Sequence, residues 1–115
     1  MTDACLFCKI VSGEIKGTIV HRDDQATAFR DINPVAPTHI LIVPNQHIAS
    51  VSALESGDEQ LMGHLFTVAG QLAKSEGIAE GGYRLITNTG PDAGQTVFHI
   101  HVHLIGGQPM KNPMG

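Results

Sequence analysis

Apolar and polar residues alternate with two different periods along this chain, and each period predicts a different element. Between Ser56 and Gly77 the apolar residues recur at helical spacing, which predicts one long amphipathic helix. Ser56 and Glu59 fit a capping box at its start, and Gly77 is a plausible cap at its end. The predicted apolar stripe consists of Leu61, Met62, Leu65, Val68, Ala69 and Leu72.

The rest of the chain predicts a short helix and several closely spaced strands. Residues 5–11 form the short helix, which Ser12 and Gly13 end. The predicted strands cover residues 18–21, 26–30, 39–43, 83–87 and 96–105. Short links between the strands favour an α+β fold, an antiparallel sheet with one long and one short helix.

The last predicted strand carries three histidines in strict alternation with aliphatic residues. Successive side chains of a strand point to opposite faces, so His99, His101 and His103 share one face, about 7 Å apart. The other face, which can seal against a core, carries Phe98, Ile100, Val102 and Leu104. Imidazoles are costly to bury without partners, and we therefore expect this face to border a functional site.

Composition and charge narrow the classes of protein. The 115 residues, 42% of them apolar, suit a single domain spanning 1–115. The net charge of −4 and the lack of a basic run argue against binding a nucleic acid polymer. No apolar run approaches the ~20 residues of a membrane span. Residues 1–4 lack the features of a secretion signal, so we expect a cytoplasmic protein.

Two cysteines, Cys5 and Cys8, stand at the spacing of a metal or redox motif. They can hold zinc together with two histidines from elsewhere, for which we favour His47 and His99. A redox pair, or two reduced cysteines facing the core, are the alternatives. The alternating histidines can also present ligands to a catalytic zinc. We interpret His21 and His64 as incidental.

A histidine nucleophile is the other chemistry that the alternating strand can support. Neutral imidazole attacks well near neutral pH when its second nitrogen is held by an acceptor such as a backbone carbonyl. The glycine-rich loop at 88–96 leads into the strand and offers backbone and side-chain donors to an anion. The alternative is that the histidines are satisfied polar residues without a catalytic role.

The segment His-Ile-His-Val-His-Leu-Ile at 99–105 resembles the signature of the histidine-triad (HIT) superfamily. The likeness extends to the segments at 5–10, 29–34, 37–39 and 94–97, and the ending from Gly106 resembles the HINT branch, purine nucleoside phosphoramidases. This resemblance implies a homodimer that hydrolyses AMP or GMP phosphoramidates to the nucleotide and an amine, with no cofactor needed for catalysis. The loop at 90–96 also resembles the dinucleoside-polyphosphate hydrolase branch.

The resemblance also implies roles for single residues. His101 would be the nucleophile that becomes nucleotidylated, with its second nitrogen held by the carbonyl of His99. His99 and His39 would flank and orient the triad, and His103 would contact the phosphate or the leaving group. Thr96 would place a hydroxyl near the leaving amine.

For the nucleotide, Asp31 matches the residue that binds the ribose hydroxyls, and Ile32 and Phe29 would line the base pocket. Asn88 would lie near the ribose and phosphate, and Gln95 belongs to the same set of nucleotide-binding positions.

The structural zinc ligands of the relatives that carry the cysteine motif match Cys5, Cys8, His47 and His99. Two further functions stay open at this point: a nucleotide-binding scaffold without catalysis, and a protein that only binds metal.

Overall fold

In the computed structural model the described residues are 5–113. Residues 1–4, on which the predicted lack of a secretion signal depends, and residues 114–115 lie outside them. Short 3₁₀ turns occupy Val51–Ala53, Ser56–Asp58 and Pro91–Ala93. The helices are α1 (Leu6–Ser12) and α2 (Glu59–Ser75), and the strands are β1 (Ile19–Arg22), β2 (Ala26–Arg30), β3 (Thr38–Pro44), β4 (Tyr83–Ile86) and β5 (Val102–Gly106).

The five strands form one antiparallel sheet in the order β1-β2-β3-β5-β4. The last strand therefore inserts between β3 and β4, where both neighbours satisfy its backbone. Its register places His103 opposite Leu41 and Ile105 opposite His39. This pairing brings His39 and His103 together although 64 residues separate them.

The central strand β3 is buried along its whole length because helices pack on both faces of the sheet. Its even positions, Ile40 and Ile42, join the main core under α2. Its odd positions, Leu41 and Val43, join a smaller core with α1. His39 and His103 are odd-numbered as well, so they lie in the layer that contains α1. The predicted α+β fold with a long and a short helix is confirmed.

Both helices end where the sequence indicates, but the start of α2 was predicted wrongly. Gly77 has a φ of +75°, a conformation that glycine adopts without strain, and it terminates α2 as predicted. The capping box does not involve Ser56 and Glu59. It joins Glu55, whose N–H donates to the carboxylate of Asp58 at 3.0 Å, around the 3₁₀ turn before the helix.

The histidine strand is shorter than the alternation predicted. Pairing with β3 starts at Val102, and residues 96–101 have no strand neighbour. Instead, the N–H of Ile100 donates to the carbonyl of Ile48 at 2.6 Å. Phe98, expected to seal against the core, is 59% exposed because no sheet partner extends that far.

Within residues 5–113, neither helix has the length and apolar character needed to cross a membrane.

Candidate active site and metal cluster

His101 immediately precedes β5, and its ring is oriented by the chain's own backbone. Its Nδ1 lies 2.8 Å from the carbonyl oxygen of His99. Because a carbonyl oxygen only accepts, Nδ1 carries the proton and Nε2 keeps its lone pair. His101 is 8% exposed and borders a pocket together with His103. The ring of His101 therefore has the tautomer that a histidine nucleophile requires, with Nε2 unprotonated beside the pocket.

The neighbouring histidines form a chain of hydrogen bonds whose direction the backbone also fixes. The N–H of Val35 donates to Nδ1 of His39 at 3.2 Å, so Nε2 of His39 carries the proton. That Nε2 lies 2.9 Å from Nδ1 of His103 and donates to it. His103 consequently carries its own proton on Nε2, where it can serve as a hydrogen-bond donor to an anion.

Burial keeps these rings uncharged. Burial, and then the neighbouring rings of His101 and His39, lowers the pKa of His103 to about 4, against a smaller opposing effect of Asp31. Burial also lowers the pKa of His39, again opposed by Asp31. A charge developing on a phosphoryl group would therefore meet oriented neutral donors at neutral pH.

The pocket beside His101 has a volume of about 380 Å³, within the range of small-molecule sites. It brings together most of the predicted nucleotide and catalytic residues. Ile32, 91% exposed, lies at its surface, and the carboxylate of Asp31 lies 3.4 Å from Nε2 of His39. The residues that line it include Leu6, Phe7, Ile10, Lys16, Phe29, Asp31, Ile32, Leu41, Thr96, Val97, His101 and His103.

Two predicted nucleotide residues, Asn88 and Gln95, are absent from this lining. Gln95 is 8% exposed, and its side chain is occupied by backbone groups. Its oxygen accepts from the N–H of Gly90 at 2.9 Å, and its nitrogen donates to the carbonyls of Ala49 (2.9 Å) and Val97 (3.1 Å). In this structure Gln95 therefore fixes the loop that carries Thr96 and Val97.

Phe7 is a site residue that the sequence analysis missed. Its ring meets the ring of His101 edge-on, with centroids 5.0 Å apart, and also approaches His99 at 6.1 Å. The only signal in the sequence is its apolar position on α1, which also fits ordinary core packing. Phe7 links the orientation of the nucleophile's ring to the position of α1.

The ring of His99 faces away from the pocket, contrary to the expectation that all three imidazoles share one site. Its Nε2 donates to the carbonyl of Pro44 at 2.8 Å, so Nδ1 carries a lone pair. Nδ1 lies 3.3 Å from Sγ of Cys5, 3.4 Å from Sγ of Cys8 and 3.3 Å from Nδ1 of His47. Sγ of Cys8 lies 3.4 Å from Nδ1 of His47. The four residues that were predicted as zinc ligands thus converge.

The separations between these atoms fit a tetrahedral zinc site. Zn–S bonds near 2.3 Å and Zn–N bonds near 2.0–2.1 Å place tetrahedral ligand atoms about 3.3 to 3.8 Å apart. The tautomer of His99 fits as well, because metal-bound histidines usually donate their second nitrogen to a carbonyl. Burial, together with the adjacent Cys5, raises the pKa of Cys8 to about 11, so the Cys8 thiol ionises readily only beside a cation.

A second hollow, of about 390 Å³, lies over Cys5 and His47. It shares Leu6, Thr96 and Val97 with the first pocket, but His101 and His103 do not line it. Of these two hollows in the described part of the chain, the pocket beside His101 is the one that combines a free imidazole nitrogen with a carboxylate and apolar walls.

Comparisons with known proteins identify the family of this chain. The family described as HIT domain matches residues 12–110. Purine nucleoside phosphoramidase of Escherichia coli (strain K12) is 53% identical over 110 residues, covering 96% of this chain and 92% of the relative. A HIT family hydrolase from Legionella pneumophila superposes with a TM-score of 0.93 at 49% identity, covering 96% and 99% of the two chains. One from Clostridium thermocellum gives 0.94 at 46% identity, covering 97% of each.

Proposed function

The chain belongs to the HIT domain family and is a hydrolase of that family, and we propose that it cleaves the P–N bond of purine nucleoside 5′-phosphoramidates. The observation that carries the proposal is the tautomer of His101. Its Nδ1 is held by a backbone carbonyl, and its Nε2 is free at a pocket with a carboxylate and apolar walls. The near-full-length likeness to a purine nucleoside phosphoramidase supports this substrate class.

In the first step, Nε2 of His101 attacks the α-phosphorus and forms a P–N bond to the enzyme. The departing nitrogen takes the electron pair of the substrate's P–N bond and one proton, and leaves as an amine. In the second step, water attacks phosphorus, the bond to His101 breaks, and the nucleoside monophosphate and one proton are released. The cycle is balanced by one water and needs no cofactor.

The remaining roles follow the predicted positions. His103 donates from Nε2 to a phosphoryl oxygen, and His39 keeps His103 in that tautomer. Asp31 binds the ribose hydroxyls, Phe29 and Ile32 contact the base, and Thr96 lies by the leaving amine. Gln95 acts through the loop that its side chain fixes, and Asn88 keeps its predicted place near the ribose and phosphate.

We also propose that Cys5, Cys8, His47 and His99 hold a structural zinc ion, which would supply a fixed anchor for α1 and for the segment before β5. The chain's own contacts transmit that anchor to the nucleophile. The carbonyl of His99 holds His101, and Phe7, between the two cysteines on α1, packs on its ring.

The assembly and location remain part of the proposal. A homodimer would cover apolar side chains that are exposed in the single chain, such as Phe66 (56%) and Tyr83 (40%). The free thiols of Cys5 and Cys8 suit the reducing cytoplasm. Residues 1–115 would form one domain.

The proposal is tested by trapping the intermediate. Wild-type enzyme mixed with adenosine 5′-phosphoramidate and quenched in alkali should carry one nucleotidyl group, which peptide mapping locates at His101. His101→Ala should lose at least about 10³-fold in turnover, the scale seen when nucleophiles are removed, while still binding AMP. Diadenosine tetraphosphate is assayed beside the phosphoramidate and should turn over more slowly. Undiminished turnover by His101→Ala would refute the mechanism, and a preference for diadenosine tetraphosphate would refute the substrate class.

A further inference from the structure

Two histidines that the sequence analysis set aside converge on one carboxylate, away from the pocket. His21 lies on β1, His64 lies on α2, and Asp23 lies in the turn after β1. Nε2 of His21 and Nε2 of His64 are each 2.7 Å from the same oxygen, Oδ2 of Asp23. Because His64 belongs to α2, this cluster lies in the layer opposite α1 and the triad.

The carboxylate is held in place independently of the histidines. Its other oxygen, Oδ1, accepts from the N–H groups of Gln25 and Ala26, each at 2.8 Å. The side chain of Asn45 donates to the carbonyl of Asp23 at 2.9 Å. Asp23 is therefore pre-oriented by the turn, and its Oδ2 faces the two imidazole rings.

Asp23 is ionised at all physiological pH values. Its partial burial alone would raise the pKa, but hydrogen bonds from His21, the Gln25 N–H, His64 and the Ala26 N–H together lower the pKa well below its ordinary value. The cluster thus presents two imidazole nitrogens and one carboxylate oxygen.

This donor set is typical of a metal site that retains an open position. The ligand atoms lie within 4.8 Å of one another. The side chains are 26–29% exposed, which leaves room for water as a further ligand. Zn–N and Zn–O bonds of 2.0–2.2 Å require ligand separations of about 3.4 Å, so each ring must withdraw from Oδ2 by about 0.7 Å. Partly exposed side chains can make that adjustment.

We propose that His21, Asp23 and His64 bind a zinc ion, distinct from the one proposed at the cysteine cluster. Two imidazoles and one carboxylate suit zinc better than calcium or magnesium, which prefer oxygen-only sites. Each imidazole would then carry its proton on Nδ1 and direct Nε2 to the metal. The ion would join the β1–β2 turn to α2 across the edge of the main core.

The test is zinc stoichiometry in the untagged full-length protein, measured by equilibrium dialysis against ZnCl₂ and elemental analysis. Wild type should bind two zinc ions per chain, and the Cys5→Ser/Cys8→Ser variant should retain one. His64→Gln, whose amide can still donate to Asp23, should weaken that remaining site at least about 100-fold. Asp23→Asn should do the same, and Asp24→Asn, at the exposed neighbouring carboxylate, should leave it unchanged.

Cobalt distinguishes the two sites in one spectrum. Co²⁺ added to the Cys5→Ser/Cys8→Ser variant should give weak visible bands without thiolate charge transfer, and His64→Gln should abolish them. A variant lacking both cysteines that binds no metal, or one whose binding is indifferent to His64→Gln, would show that the cluster is only hydrogen-bonded and would overturn the proposal.

Discussion

The triad pocket and the cysteine cluster lie side by side and share one stretch of chain, yet they orient imidazole in opposite ways. His101 gives its Nδ1 to a backbone carbonyl and directs Nε2 into the pocket. His99 gives its Nε2 to a backbone carbonyl and directs Nδ1 at two thiols. In each ring the nitrogen bonded to a backbone carbonyl leaves the other nitrogen available. This is Nε2 in His101, the proposed nucleophile, and Nδ1 in His99, a proposed zinc ligand.

The largest effect is expected from removing both cysteines. Cys5→Ser/Cys8→Ser should weaken zinc binding at this cluster by at least about 10³-fold, because neutral hydroxyls replace thiolates. At a zinc concentration that saturates the wild type but not the variant, this loss of binding lowers the free energy of unfolding of the variant by about 4 kcal/mol relative to the wild type. Chemical denaturation with and without a chelator measures it. Since every group of the pocket remains, kcat/KM should fall by only about tenfold.

His101→Ala is the matched variant for this experiment and should give the reverse result, with zinc affinity kept and turnover lost. If the double cysteine variant lost turnover as completely as His101→Ala, the pocket and the cysteine cluster would act as one functional unit, contrary to the separation argued above.

The division between these regions could be predicted from the sequence only in part. Alternation correctly separates His101 and His103, which border the pocket, from Ile100, Val102 and Leu104, three residues that are all buried. It cannot show that the ring of His99 is captured by the carbonyl of Pro44, 55 residues away, because that partner is set by tertiary packing. The cysteine spacing together with the family resemblance predicted Cys5, Cys8, His47 and His99 as zinc ligands, and the fold brings these four side chains together.

Gln95 lies on the loop between the two regions, and we expect its removal to loosen both. Gln95→Ala leaves the Gly90 N–H and the Ala49 and Val97 carbonyls without their side-chain partner, which should cost about 2 to 3 kcal/mol of unfolding free energy. Urea denaturation measures the loss. Gln71→Ala, at an exposed site on α2, is the control and should stay within about 0.5 kcal/mol.

Zinc affinity and KM are then measured on the same Gln95→Ala protein. A change in both supports a loop that positions both regions. A change in KM alone would return Gln95 to the role of a nucleotide contact.

Other parts of the fold were beyond the sequence for physical reasons. His21 and His64 carry no periodic signal, and His64 comes within hydrogen-bond distance of Asp23 only once α2 packs against the sheet. β3 continues to Pro44, beyond its last pair with β5, but the chain before Val102 bonds elsewhere: the N–H of Ile100 donates to the carbonyl of Ile48, and the ring of His99 donates to the carbonyl of Pro44. The helices and the centres of the strands were predictable because they depend on the local spacing of apolar residues and on the glycines that end the helices.

Acid should distinguish the pocket from the rest of the chain through His103. Its pKa is about 4 in the folded protein and 6.5 without the shift, so the unfolded chain binds more protons between these values. The contribution of His103 to the free energy of unfolding is therefore fully present above pH 6.5. It is lost as the pH falls toward 4, by about 2 kcal/mol after allowing for partial solvent screening.

The variant His103→Asn has no imidazole to titrate at this position and should lack this part of the decline. Denaturation curves from pH 4 to 7, with chelator present so that zinc release does not add, provide the measurement. If the free energy of unfolding of the wild type and of His103→Asn fell equally between pH 7 and pH 4, His103 would not be a buried, neutral partner of His39.

The smallest effect concerns Asp31, which lies between the nucleotide pocket and the His39–His103 pair. If it binds the ribose, Asp31→Asn should raise KM for adenosine phosphoramidate about fivefold, near 1 kcal/mol, and leave kcat unchanged. With the wild type, a 2′,3′-dideoxy substrate should show the same fivefold rise in KM. With Asp31→Asn it should show no further rise, because removing the hydroxyls and removing the charge abolish the same interaction. Asp24→Asn, at an exposed carboxylate, serves as the control. A fall in kcat instead of a rise in KM would mean that Asp31 acts on the histidines, since its carboxylate lies 3.4 Å from Nε2 of His39.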